Sequence, residues 1–210
     1  MAEACEWRSA SGLAHSARLV LMPREGQEIL NPRTGQRMRF VQIRDDELRI
    51  ESANPPTDER EPEHVHPNQE SRAEVRSGSL VFEVDGKPQR IGPGQSITIP
   101  ANTPHRFWNE SEDPAQSVQT FRPAMGIAAF FETYFELARR GELKAGGDIP
   151  LLQVAAMVPV FRNEIRLTRP PWPIVRALTA VLGPIARRRG YQGQLDYGSD
   201  AVEPVASNQP

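Results

Sequence analysis

Three of the four histidines in this chain fall in two clusters whose spacing suits a metal site. The first is His64-Val65-His66-Pro67. The second is His105, within Pro100-Ala101-Asn102-Thr103-Pro104-His105-Arg106-Phe107-Trp108-Asn109. Side chains alternate faces along a strand, so His64 and His66 point the same way. Two imidazoles on one face, joined by a third from a later strand, can hold a first-row metal and leave positions open for substrate. His15 has no such company and reads as a surface or core histidine. No Gly-rich phosphate loop, Ser-His-Asp order or cysteine cluster competes as a site, and no nucleotide cofactor is expected.

The elements that must position these residues read as short strands with frequent turns. Met38–Ile43 and Glu47–Ile50 alternate after the turn chemistry of Asn31-Pro32-Arg33-Thr34-Gly35. Leu80–Val84 ends at Asp85-Gly86, a two-residue hairpin signal. Ser96–Ile99 follows the turn Gly92-Pro93-Gly94, and Ser117–Phe121 closes the set. On the strand after Pro104, His105, Phe107 and Asn109 share a face, and Trp108 faces the other way, where it could cover the barrel under later helices. This pattern predicts an antiparallel barrel or sandwich.

These residues resemble the two signature motifs of the cupin superfamily. His64, His66 and Gly78 fit the first motif; Gly94, Pro100, His105 and Asn109 fit the second without a gap. The stretch from about Gly26 to Ala124 is similar to small single-domain bacterial cupins, including the exit Phe121-Arg122-Pro123-Ala124. The resemblance implies an all-β core, an antiparallel jelly-roll cupin β-barrel. It also implies a small-molecule site and a homodimer. It says less about activity, because one fold hosts many functions.

Departures from the motifs sharpen the chemistry. The family's glutamate ligand falls at position 71, where this chain has Ser71, with Glu70 next door as a possible fourth ligand. Alternation sets Ser71, Ala73 and Val75 against Glu70, Arg72, Glu74 and Arg76, which turns the small and apolar set inward. The expected site is therefore three histidines without a carboxylate, walled by Ser71, Ala73, Phe82 and Phe107. Asn102 stands where the motif has glycine, at a turn position that needs positive φ. The acidic, proline-rich segment 54–63 reads as an extended, solvated approach.

The rest of the composition bounds the answer. A formal charge of −2 gives no basic balance calling for nucleic acid. One cysteine, Cys5, cannot form an internal disulfide and suits a reducing compartment, so a cytoplasmic location is expected. No secretory signal is read, and no apolar run reaches the ~18 residues of a transmembrane helix.

After Pro123 the pattern becomes helical. Ile127, Phe130, Phe131, Tyr134 and Phe135 form an apolar stripe that ends at Arg139-Arg140-Gly141. A second helix is expected from Leu151 to about Leu167, kinked at Pro159. A third starts at Pro170-Pro171-Trp172-Pro173 and runs to Arg187-Arg188-Arg189-Gly190. The helix dipole explains the basic ends locally, so membrane-surface contact is disfavoured. The expected organisation is an irregular arm (1–24), the barrel (25–124), about three C-terminal α-helices (125–190) and a flexible polar tail (191–210).

If the chain is an enzyme, this reading predicts Fe(II)-dependent dioxygenation of a small organic substrate. Manganese, nickel or zinc also suit imidazole ligands. The alternative is a non-catalytic, metal-free metabolite-binding or sensing protein, towards which Ser71 tilts the balance.

Overall fold

The computed structural model describes residues 22–57 and 60–198. His15, Cys5, most of the arm and the tail beyond residue 198 lie outside the described residues. The strands are β1 (Glu28–Leu30), β2 (Arg37–Ile43), β3 (Leu48–Asn54), β4 (His64–Val65), β5 (Glu70–Ser77), β6 (Leu80–Val84), β7 (Lys87–Ile91), β8 (Ser96–Ile99), β9 (His105–Trp108), β10 (Ala115–Arg122) and β11 (Arg166–Leu167). The helices are α1 (Ile127–Arg139), α2 (Leu151–Phe161) and α3 (Trp172–Arg188).

Two antiparallel sheets face each other, one in the order β1-β2-β3-β10-β5-β8 and the other β11-β4-β9-β6-β7. The class is therefore an all-β, jelly-roll-like core with three C-terminal helices. Between the sheets, Val75, Leu80, Phe82 and Ile99 form one apolar cluster. A second joins Phe40, Ile50 and Phe121 to Ile127 and Phe135 of α1, so the first helix completes the sheet's core. Burying each such side chain contributes roughly 1.5–3 kcal/mol.

Local chemistry explains the turns that set the register. Asp85 and Gly86 both take positive φ, 49° and 71°, and pair Val84 with Lys87 in a tight hairpin. Asn102 takes φ 62°, and its N–H donates to the His66 carbonyl at 2.7 Å, tying the second motif to the first. Gly78 is required twice over. Its φ is 69°, and a Cβ there would meet the Ala115 Cα and Pro114 carbonyl oxygen at 2.8 Å.

The C-terminal part differs from expectation in two places. α2 ends at Phe161, and residues 166–167 leave the helix to form β11, which pairs with β4 at Arg166↔Val65 and Leu167↔His64. A Phe161 that is 3% exposed anchors this break. The segment 191–198, assigned from its polarity to a tail, packs instead. Leu195 and Tyr197 are buried, and the Leu195 N–H donates to Thr133 Oγ1 at 3.1 Å. The Tyr197 hydroxyl accepts from the Leu30 N–H and donates to the Leu30 carbonyl, each at 3.1 Å. A Cβ at position 193 would lie 2.6 Å from the Ala156 carbonyl, so Gly193 lets the chain cross α2 closely.

Candidate metal centre and its cavity

β4 and β9 are neighbours, and their register places His64 directly opposite His105. His66 follows two residues on, and the three rings meet with centroids 4.5–5.2 Å apart. One nitrogen from each lies within 4.8 Å of the others, and all three residues are buried. These three histidines could hold a divalent metal.

The hydrogen bonds fix which nitrogen faces inward. His64 Nδ1 is 2.9 Å from the Pro62 carbonyl, His66 Nδ1 2.7 Å from the Glu164 carbonyl, and His105 Nδ1 2.8 Å from the Thr103 carbonyl. A carbonyl oxygen can only accept, so each Nδ1 carries the proton and donates. Each Nε2 then keeps its lone pair, the tautomer a metal needs. Burial also keeps the rings neutral. Loss of solvent lowers the His64 and His66 pKa values, the latter well below the ordinary range, aided by neighbouring imidazoles. Desolvation, then His64, lowers His105 to about 4. Neutral imidazoles with a common tautomer fit a first-row metal.

The predicted pocket residues come together at this end. Ser71, Ala73, Phe82 and Phe107 line the same cavity as the histidines, and the Phe82 and Phe107 rings stack at 5.4 Å. Glu70 is exposed and does not line the cavity, while its neighbour Ser71 is buried and does. Trp108 is buried, and the Arg60 guanidinium sits 4.2 Å above its ring.

Gln119 and Glu61 also line the cavity, beyond the residues the sequence points to. Gln119 is buried on β10 with Ser117 and Phe121, and strand alternation alone would have found it. Glu61 had no such signal. The proline-rich approach, expected in water, folds this carboxylate into the cavity, where Oε1 accepts the Phe107 N–H at 3.1 Å. Loss of solvent raises Glu61 to about 7, although the neighbouring His105 and the Phe107 N–H pull it down. A carboxyl with that pKa exchanges a proton near neutrality.

The cavity measures about 460 Å³ and leaves the barrel between the helices. Phe130 of α1, Phe161 of α2 and Trp172 of α3 belong to its wall. The helical extension is therefore part of the site.

Residues 53–120 match the family model described as Cupin domain. Solved structures are similar over part of the chain. TT1209 from Thermus thermophilus is 26% identical, with a TM-score of 0.41 over 44% of this chain and 87% of that one. An RmlC-like cupin from Shewanella frigidimarina is 19% identical, with a TM-score of 0.42 over 47% and 86%. KdgF from Halomonas sp. is 21% identical, with a TM-score of 0.40 over 42% and 79%. No curated protein matches the chain.

Proposed function

We propose that this chain, a cupin-domain protein with a helical C-terminal part, binds a divalent metal through His64, His66 and His105 and acts on a small organic molecule. The observation that carries the reading is the shared tautomer: three Nδ1–H groups spent on backbone carbonyls and three Nε2 lone pairs left for one ion. Fe(II) is the favoured metal, and when bound it supplies the redox chemistry of a dioxygenase. The chain's own residues do the rest. Phe82 and Phe107 exclude water and orient the substrate, while Glu61, held by the Phe107 N–H, takes up or gives a proton beside His105.

Ser71 supports a second reading. It puts a hydroxyl, not a carboxylate, on the inward face of β5, which lowers site charge and metal affinity. On that reading the cavity binds a metabolite without turnover. We place the protein in the cytoplasm, as its single cysteine suggests, and as a homodimer. α3 leaves Ile174, Val181 and Ile185 exposed away from the cavity, an apolar stripe a second subunit could cover.

Anaerobic Fe(II) titration followed by oxygen uptake in the presence of candidate substrates separates the two readings. Stoichiometric Fe(II) with substrate-dependent uptake supports the dioxygenase. Tight ligand binding by metal-free protein, with no uptake after Fe(II) is added, supports the binding protein.

A further inference from the structure

The cavity is asymmetric along its length. Its barrel end carries the polar groups, the three histidines, Glu61, Ser71 and Gln119, beside Phe82 and Phe107. Its outer part runs between helices and changes character. Every α2 residue that lines it is apolar: Leu151, Val154, Ala155, Met157, Val158 and Phe161, one continuous helical face. α3 adds Trp172, Val175, Leu178 and Leu182, with Thr179 as its single polar lining residue. Besides Glu61, the charged side chains that line the cavity are Arg72, Lys144, Asp148 and Arg166, none of them on a helix.

This space is not an accident of loose packing. Interiors pack to crystal density, and an empty apolar void destabilises a fold in proportion to its volume. Here the helices that could collapse into the space are held apart. α2 and α3 meet through small residues, Ala155, Ala156, Gly183 and Ala186, which fixes their spacing. Meanwhile β11 pins the chain between them to β4. A cavity of about 460 Å³ is within the range of small-molecule sites.

We infer that the ligand is an elongated amphiphile, whose polar group lies at the histidine end and whose apolar chain lies between α1, α2 and α3. The inference deepens the proposed function and rests on its reading of the histidines as the polar end of the ligand site. A compact, fully polar ligand would leave the helical wall wet. A chain of methylenes would cover it.

The probe is a series of sodium alkanoates, from about four to about twelve carbons, titrated calorimetrically into the full chain loaded with Zn(II). Each added methylene should tighten binding about fourfold until the cavity is full. Val158→Trp and Val175→Trp fill the helical part and should stop the gain at shorter chains, with the circular dichroism unchanged. Affinity that ignores chain length overturns the inference. So does a length limit that neither substitution moves. Stoichiometric Zn(II) with no chain-length effect overturns the ligand class and leaves the metal site standing. A chain-length effect that the tryptophans shorten, without Zn(II) uptake, supports the ligand class while removing the metal.

Discussion

His66 Nδ1 donates to the main-chain carbonyl of Glu164, 98 residues later, at 2.7 Å. A barrel histidine is thus oriented by the turn between α2 and β11. Partners that orient metal-binding histidines typically change metal affinity 10- to 100-fold when disturbed. Phe161 anchors this turn: its side chain is buried with Ala129, Leu137 and Met157, and its carbonyl accepts from the N–H groups of Glu164 and Ile165. Phe161→Ala should cost about 3–5 kcal/mol and weaken metal binding about tenfold or more. Ending the chain at Pro123 should cause aggregation, since it also uncovers the apolar cluster around Phe121. Denaturant unfolding and metal titration check both; a stable monomeric fragment that holds metal as tightly as the full chain would contradict the link.

Ser71 and Glu70 separate the register from its neighbour. Ser71 is buried against the cavity and pairs with Ile99 and Phe121, whereas Glu70 is exposed. Ser71→Glu should add a carboxylate to the site and raise metal affinity about tenfold. Glu70→Gln should leave it unchanged. The opposite result in a competitive chelator titration would mean that β5 is shifted by one residue.

The pH at which metal is released follows from burial. Metal must compete with protons for each Nε2. Free histidine would put release near pH 6.5. Desolvation holds His105 at about 4 and lowers His64 and His66, so metal should be retained at about pH 5.5 and lost as the pH approaches 4. In metal-free protein the same imidazoles contribute stability that is full above about 6.5 and lost as pH falls towards 4. Glu61 has the opposite sign. Raised from 4.5 to about 7, it binds more protons folded than unfolded, so its contribution is lost as pH rises through that window. Thermal unfolding of Glu61→Gln in chelator should therefore gain on wild type between about pH 5 and about pH 7.5. Glu132, also raised to about 7, is common to both proteins and cancels. A gap between the two melting curves that ignores pH would remove Glu61 from the interior.

Tyr197 makes the end of the described chain structural. Tyr197→Phe leaves the Leu30 N–H and carbonyl without this partner and should cost about 1–3 kcal/mol. A chain ending at residue 190 should melt lower still, because Leu195 and its bond to Thr133 go too. Equal melting temperatures for wild type and both variants would mean that this segment does not pack in solution.

Period-two patterns made the barrel and much of the candidate site legible. They turn Ser71, Ala73 and Phe107 towards the cavity and give His64 and His66 a common face; Asp85-Gly86 and Asn102 marked their turns by backbone chemistry. What stayed hidden depends on contacts distant in sequence. Glu61 is drawn in by the Phe107 N–H, 46 residues away, and no local period announces it. β11 is two residues long and exists because β4 offers an open edge beside the site. The Arg60 guanidinium stacked on Trp108 is likewise a contact distant in sequence that no local period announces. At the chain's end, Leu195 and Tyr197 do alternate, yet two apolar residues among glycines and polar groups are too few to signal a packed segment.

Metal content per chain tests the central claim most directly. Wild-type protein and the His64→Ala/His66→Ala double variant are purified from metal-supplemented cultures and measured by plasma mass spectrometry, with folding checked by circular dichroism. The account predicts close to one equivalent of a first-row metal in the wild type and none in the folded variant. Equal metal in both, with the variant folded, would contradict it.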